Sequence, residues 1–314
     1  MKEIKYEDGV LIQGDNLEWL KAQPSDSVNL IFGSPPYEDR RTYGIDFKLK
    51  GQGWVDWMVA RWLEMNRICR GLVAMVIEGK TEDYQWSATP ALLMADLHRR
   101  GIKLRKPPIF VRHGVPGSGG PDWWRNRYEF VICSSRGRLP WSNPTACGRP
   151  PLYPPGGNMS HRLPDGVRRN VKQKMKEEGI SQRDAVRQIA PQAIRISTER
   201  QVDGTMRAAP YIPPELANPG NVIDCGGSGG GYLSSDIAHE NEAPFPEDLI
   251  SPFVLSFCPK GGVVLDPFAG SGTTISVARQ YRRRWIGVDI RESQIELCQK
   301  RLGEARMRQG FDLY

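Results

Sequence analysis

Two short stretches, set near opposite ends of the chain, combine residue types and spacings that suit chemistry. The first is Ser34-Pro35-Pro36-Tyr37, directly after the apolar run Val28 to Phe32 and Gly33. Two consecutive prolines stiffen the backbone and remove two N–H donors, so the local backbone presents carbonyl acceptors. Such a site can receive the hydrogens of a planar amino group. If an aromatic amine donates one hydrogen bond to the Ser34 hydroxyl and another to the Pro35 carbonyl, its lone pair is drawn out of conjugation and can attack a methyl sulfonium. Tyr37 then stacks on the ring, as a pocket for a flipped base requires. No strong general base is needed, because the sulfonium is already activated and the methylated amine sheds its proton afterwards. Taken alone, Pro-Pro-Tyr is more often a stiffened turn or a proline-rich ligand. Its place after a strand favours a site, since α/β sheets bind ligands at the carboxyl ends of their strands.

The second stretch is Leu265-Asp266-Pro267-Phe268-Ala269-Gly270-Ser271-Gly272-Thr273-Thr274, a glycine-rich turn between a buried strand and a helix. Glycines permit a tight turn and close approach of a ligand, and a helix start offers N–H groups to a carboxylate. Asp289 ends the next strand, where a carboxylate can accept hydrogen bonds from both ribose hydroxyls. A phosphate-binding P-loop needs Gly-Lys-Ser/Thr, and this stretch has no lysine. A dinucleotide fingerprint wants a third glycine where Ile275 stands, which disfavours NAD. Asp266, an acid on the first strand, suits a ligand with a positive amino group. S-adenosylmethionine carries that group with an adenosine and a carboxylate, and it is the expected cofactor.

The elements that must position these stretches alternate strand and helix. The N-terminal part reads as strand Val10 to Ile12, helix Asn16 to Ala22 and strand Val28 to Phe32, then helix Val55 to Ile68 and strand Gly71 to Ile77. Pro90 to Arg100 follows as a helix ended by Gly101, with strands at Pro108 to Val111 and Tyr128 to Cys133. The pattern resumes late, with helix Pro246 to Phe257, strand Val263 to Asp266, helix Thr273 to Tyr281, strand Trp285 to Asp289 and helix Glu292 to Arg306. A lone strand, helix, strand unit could scarcely stand by itself. It is expected to complete the sheet begun at the N-terminus, giving a catalytic domain in two parts, 1–138 and 236–314, around an insert, 139–235.

Prolines and glycines cluster in the insert, as in Gly148-Arg149-Pro150-Pro151 and Gly226-Gly227-Ser228-Gly229-Gly230-Gly231, and clean strand signals vanish. From His161 to Pro210 there are 11 Lys and Arg against 6 Asp and Glu, which is most of the chain's formal charge of +7. A sequence pI near 9.1 favours polyanionic partners. Asn170 to Glu178 and Gln182 to Ala190 resemble two helices around Gly179-Ile180-Ser181, with Ser181 as N-cap. Either a helix-turn-helix meeting DNA or a solvated helix pair fits. The six cysteines form no C-x-x-C pair and have no histidine at zinc spacing, so no metal site is expected. Met1 to Gly9 lacks the apolar core of a signal peptide, and a reducing cytoplasm is the simplest expectation.

At these residues the chain resembles the amino-methyltransferases of bacterial and phage DNA, specifically the permuted β-class. That class places a catalytic Asp/Ser/Asn-Pro-Pro-Tyr/Phe motif first, then a target-recognition domain, then a Phe-x-Gly-x-Gly cofactor loop. Here the order is Ser34 to Tyr37, the basic insert, then Phe268-Ala269-Gly270-Ser271-Gly272. Gly14-Asp15-Asn16, Ser27-Val28 and the stretch His239 to Leu249 agree as well. The resemblance covers roughly residues 10–138 and 236–306 and leaves the middle uncovered.

The resemblance implies a Rossmann-like, mostly parallel seven-stranded sheet, circularly permuted, with an inserted target-recognition domain. It places Asp15 near the cofactor adenine, Asp266 at the methionine amino group, Phe268 at the sulfonium side and Asp289 at the ribose. Phe245 closes the methionine end, while Gly270, Ser271, Gly272 and Thr273 form the loop and helix start. Asp289 departs from the glutamate more usual in the class. An opening serine goes mostly with N4 of cytosine, and an opening aspartate with N6 of adenine. Cytosine C5 chemistry uses a Pro-Cys nucleophile, a dipeptide this chain lacks. The implied partner is double-stranded DNA, with a cognate restriction endonuclease if the context is restriction-modification, and the enzyme is a monomer or homodimer. Arg168, Arg169, Lys172, Lys174, Arg183 and Arg187 of the insert are expected on phosphates. Two other classes compete: a non-catalytic DNA-binding protein with a vestigial methyltransferase fold, and methylation of RNA or a protein amide.

Overall fold

Leu30, Ile31 and Phe32 are fully buried, as are Val73 to Ile77, so these runs form strands covered on both faces. The structure is a computed structural model that describes residues 1–38, 47–113, 122–150, 160–162, 168–181, 184–185, 188, 198–200, 206–208, 215–225 and 245–308. They fall into two units, Met1–Cys147 with Gly220–Tyr314, and Gly148–Pro219.

Among the described residues, the first unit is built on one ten-stranded sheet. Its strands are β1 (Lys2–Lys5), β2 (Gly9–Gln13), β3 (Val28–Gly33), β4 (Cys69–Ile77) and β5 (Leu104–Arg105), then β6 (Ile109–Val111), β7 (Tyr128–Ser134), β8 (Val222–Asp224), β9 (Val263–Asp266) and β10 (Arg284–Asp289). They lie in the order β1-β2-β10-β9-β3-β4-β7-β6-β8, with β5 also paired to β7. From β2 to β4 all neighbours are parallel, whereas β7 runs antiparallel to β4. The expected seven strands are thus corrected to ten. The added strands were hidden for physical reasons: β1 is a charged edge strand, and β5 and β8 have two and three residues, too few to show a period.

Side chains alternate across the central strands and so feed two cores. Ile31, Val73, Met75 and Ile77 face α1 (Asn16–Ala22), α2 (Gly51–Ile68) and α3 (Thr89–Arg99). Leu30, Phe32, Ala74 and Val76 pack on the opposite face with residues of α5 (Glu247–Phe257), α6 (Thr273–Gln280) and α7 (Glu292–Arg308). The N-terminal helices therefore cover one face of the sheet and the C-terminal helices the other. Leu139–Cys147 and Gly220–Cys225, which the sequence assigned to the insert, belong to this unit; Asn143 N–H donates to the Ser256 carbonyl, and β8 pairs in parallel with β6.

In the second unit, α4 (Val171–Glu178) ends at Gly179, whose positive φ of 66° suits a glycine and whose N–H donates to the Met175 carbonyl. Ser181 Oγ accepts from Asp184 N–H at 3.2 Å, as the expected N-cap would, and Ala185 packs on Met175 and Ile180. Two short antiparallel strand pairs, Ser160–Arg162 with Arg168–Asn170 and Thr198–Arg200 with Met206–Ala208, add strand structure where no strand signal was read.

Asn29 on β3 joins the two termini of the chain, accepting the Val263 N–H at its Oδ1 at 2.9 Å. Asn29→Leu should leave that donor unsatisfied and lower unfolding free energy by about 1–3 kcal/mol, read as a shifted urea midpoint at unchanged slope.

Candidate active site

The carboxyl ends of β2, β10, β9 and β3 are neighbours in the sheet, and each delivers one expected site residue to the same edge. Asp15 follows β2, Asp289 ends β10, Asp266 ends β9 and Ser34 follows β3. The register sets Leu265 beside Ile31 and Val264 beside Leu30. Past this register, at the strand ends, the Asp266 side chain reaches Gly33. A Cβ on Gly33 would stand 2.4 Å from Asp266 Oδ1, so this approach requires a glycine between the catalytic motif and the acid.

Asp266 is 2% exposed and accepts the Phe268 N–H at 3.0 Å. Burial pushes its carboxyl up to about 7, the charge of Asp289 adding to the effect. Asp289 accepts the Gly270 N–H at Oδ2 and the Arg291 N–H at Oδ1, both at 2.9 Å, and burial raises its pKa despite these bonds. Between the two acids the loop closes on itself, with Ala269 N–H on the Val288 carbonyl and Gly272 N–H on the Ala269 carbonyl. Gly272 caps α6 in the left-handed conformation and provides no side-chain acceptor, so nothing on the cap covers the first-turn N–H groups. Behind the loop, the buried Arg301 donates to Thr273 Oγ1 at 3.0 Å and pairs with Glu247 at 2.6 Å, tying the starts of α5 and α6 together. Phe245 stands before α5, its ring 5.9 Å from that of Phe32 on β3.

These features fit a ligand of mixed charge. A buried acid at Asp266 suits an ammonium group, since an unpaired buried carboxylate is costly, and the start of α6 suits a carboxylate.

At the catalytic motif, Ser34 Oγ lies 3.1 Å from the Val76 carbonyl and 3.3 Å from the Tyr37 hydroxyl. Tyr37 in turn donates to Glu129 Oε2 at 2.8 Å, and Glu129 is held by Arg112 at 2.5 Å. With its single hydrogen committed to either neighbour, the Ser34 oxygen keeps lone pairs for an incoming amine. The Pro36 carbonyl is taken by Trp54 Nε1 at 2.8 Å, which fixes the second proline against α2. Glu78, at the end of β4, accepts the Gly79 N–H and Trp86 Nε1; burial raises its pKa, and the charge of Glu129 adds to that. Glu38 balances the other way: burial opposes ionisation, but hydrogen bonds from Ser87, Gly51, Lys80 and Thr89 outweigh it and hold the carboxyl below its usual value.

Asp15 is committed to the protein on both oxygens. Oδ1 accepts the Leu17 and Glu18 N–H groups at the start of α1, and Oδ2 pairs with Arg61 at 3.2 Å. Arg61 lies 3.8 Å over the Trp57 ring, which is 5.8 Å from that of Phe268. Asn16, bonded to Arg61, donates to the Pro267 carbonyl at 2.8 Å and so clamps the cofactor loop to the N-terminal part. Among the residues expected on DNA, Arg168 and Arg169 lie on a short strand, Lys172 and Lys174 on α4, and Arg183 and Arg187 outside the described residues. Lys174 pairs with Glu178 at 2.5 Å, which offsets its charge.

Sequence reading missed Arg61, Glu78, Glu129, Glu247 and Arg301. Glu129 left a trace, as a lone acid inside the strand Tyr128-Glu129-Phe130-Val131-Ile132-Cys133. The others needed the tertiary contacts.

Residues 28–300 match the family of DNA methylases of the N6/N4 type. The type II methyltransferase M.Cfr9I of Citrobacter freundii is 38% identical over 320 residues, covering 95% of this chain and 89% of that protein. The DNA adenine methyltransferase YhdJ of Escherichia coli K12 is 26% identical, covering 94% and 83%. Two solved structures share the fold: the cytosine-N4-specific PvuII DNA methyltransferase has a TM-score of 0.61 at 18% identity, covering 95% of this chain and 87% of its own. A putative DNA modification methylase of Thermus thermophilus, solved with S-adenosyl-L-methionine, has a TM-score of 0.53 at 20% identity, covering 94% and 95%. With its two motifs side by side and a match spanning nearly its whole length, the chain belongs to the N6/N4 DNA methylase family.

Proposed function

We propose that the enzyme methylates the exocyclic N4 of cytosine in double-stranded DNA, within the permuted class of its family. The observation that carries this reading is the contact of Asp266 with Gly33, which sets a cation-seeking acid next to an amine-accepting serine. S-adenosylmethionine, when bound, supplies an electrophilic methyl group on a positively charged sulfur. Asp266 would accept the cofactor's amino group, α6 its carboxylate, Asp289 the ribose hydroxyls, and Phe268 the sulfonium side. Asp15 and Arg61 shape the adenine end.

Ser34 orients the base amine. Its oxygen accepts one amine hydrogen and so draws the nitrogen lone pair out of conjugation with the ring, while Tyr37, held by Glu129, offers its face to the base. With the methyl donor bound, the amine nitrogen would gain an N–C bond as the C–S bond breaks, leaving a neutral thioether, and the amine proton would pass to solvent afterwards. Serine, rather than aspartate, supports cytosine, as does the cytosine-N4 specificity in the name of the PvuII enzyme. The segment between the two motifs is the proposed target-recognition insert, its arginines and lysines on phosphates. The name of M.Cfr9I supports a type II restriction-modification setting with a cognate endonuclease.

Sequencing DNA from cells that express the protein, by a method separating N4-methylcytosine from N6-methyladenine, tests the target. Methylcytosine alone is expected; methyladenine alone would move the enzyme to the alternative N6 class. Ser34→Ala should lower kcat at least a hundredfold and leave cofactor affinity intact, whereas Asp289→Ala should weaken the cofactor by roughly tenfold, one or two lost hydrogen bonds. Calorimetric titration with S-adenosylmethionine separates these outcomes.

The raised pKa of Asp266 also sets a pH dependence. Below about 7 the free protein holds a proton there, which must leave before the ammonium can bind. Cofactor affinity should therefore fall by up to about tenfold per pH unit below that value and level off above it. In the free protein the same shift makes stability fall as pH rises from about 4, the unfolded value, to about 7. Asp266→Asn should abolish both effects, and proton release on binding, seen in buffers of different ionisation enthalpy, should vanish with them.

A further inference from the structure

Trp123 and Trp124 are 76% and 85% exposed, their rings 5.8 Å apart and tilted by 37°. Scattered exposed apolar residues are ordinary, but two adjacent tryptophans facing solvent form an apolar patch of the kind that marks a contact surface. Their place follows from the sheet. β7 is antiparallel to β4 with Phe130 opposite Ile77, so the chain entering β7 comes from the edge where β4 delivers Glu78. Asn126, two residues past Trp124, hydrogen-bonds to Glu78, and Glu129 holds the Tyr37 hydroxyl. The tryptophans therefore lie three and two residues from a side chain anchored at the sheet edge that also carries the Ser34–Tyr37 stretch. Arg125 and Arg127 beside them are also exposed.

Flat aromatic faces interleaved with guanidinium groups form a surface for nucleic acid: bases stack on the rings, and phosphates pair with the arginines. A lipid surface would ask for a broader apolar face, and an acidic peptide offers no run of flat faces on which the two rings could stack. We infer that Trp123 and Trp124 stack on bases of the duplex next to the target nucleotide, with Arg125 and Arg127 on the adjoining phosphates. A base that leaves its helix exposes the faces of its neighbours, and these rings are placed to cover them. The inference rests on the reading of the chain as a DNA-modifying enzyme and adds the surface that opens the substrate.

The test uses the full chain carrying Trp123→Ala and Trp124→Ala together, with duplex DNA from a host lacking the modification. Dissociation constant and KM for DNA should rise by roughly 10- to 100-fold, the loss expected for one or two stacked bases. Cofactor affinity should stay unchanged, which also reports that the fold is intact. A Trp123→Phe, Trp124→Phe variant should keep most of the affinity, since a phenyl face still stacks. An active parent enzyme whose double-alanine variant binds and methylates DNA equally well would overturn the inference alone. A parent that methylates no DNA would instead overturn the functional reading beneath it, and the inference with it.

Discussion

The parallel pairing of β3 with β9 is the constraint on which the rest depends. It brings together residues more than 230 positions apart and sets Gly33 against Asp266, so that the two motifs lie side by side. Loop closure entropy grows only with the logarithm of the length spanned, so a long intervening segment adds little to the cost of this pairing. What holds the pairing is burial on both faces. Helices from the N-terminal part cover one side of β3 and helices from the C-terminal part the other, so neither part has a complete core without its partner. The buried links across the seam, Asn16 to Pro267 and Asn29 to Val263, then fix its register at the top and bottom.

A second consequence is electrostatic. The chain carries a formal charge of +7, yet the edge of the sheet that bears the site collects buried acids at Asp266, Asp289, Glu78 and Glu129. An acidic, desolvated site in a basic protein divides the labour of binding a polyanion. Positive side chains elsewhere draw in phosphates through long-range attraction. On the proposed mechanism the acids would keep phosphate away from the reaction centre and favour a cationic cofactor and a hydrogen-bond-donating amine. Burial makes Asp266, Asp289 and Glu78 costly to ionise alone, and Asp266 in particular suits a cationic partner.

Much of this was legible in the sequence because it was local. Strand runs such as Val28 to Phe32, the double proline and the glycine turn state their conformation within a few residues, and strand-end placement made both motifs readable as site elements. Pairwise facts were not legible. Glu129 acts through a hydroxyl that belongs to Tyr37, 92 residues earlier, and Arg301 through Glu247, 54 residues earlier. The two-residue β5 and three-residue β8 exist only because β7 and β6 offer them open edges, so no period announced them. Asp15 shows the reverse case: the sequence made it a candidate, and the structure commits its carboxylate to capping α1 and pairing with Arg61.

These contacts also explain why a serine, and not the aspartate of other members, opens the catalytic motif here. Ser34 shares its hydroxyl with Tyr37, which donates to a buried Glu129, and Glu78 lies close enough to Glu129 for their charges to interact. An aspartate at position 34 would bring a third carboxylate into that chain. A carboxylate there would repel its acidic neighbours and compete with Glu129 for the Tyr37 hydroxyl. A neutral hydroxyl avoids the conflict. It gives its hydrogen to Val76 or Tyr37, and on the proposed mechanism its oxygen would then serve the substrate amine while Glu129 holds the ring on which the base would stack.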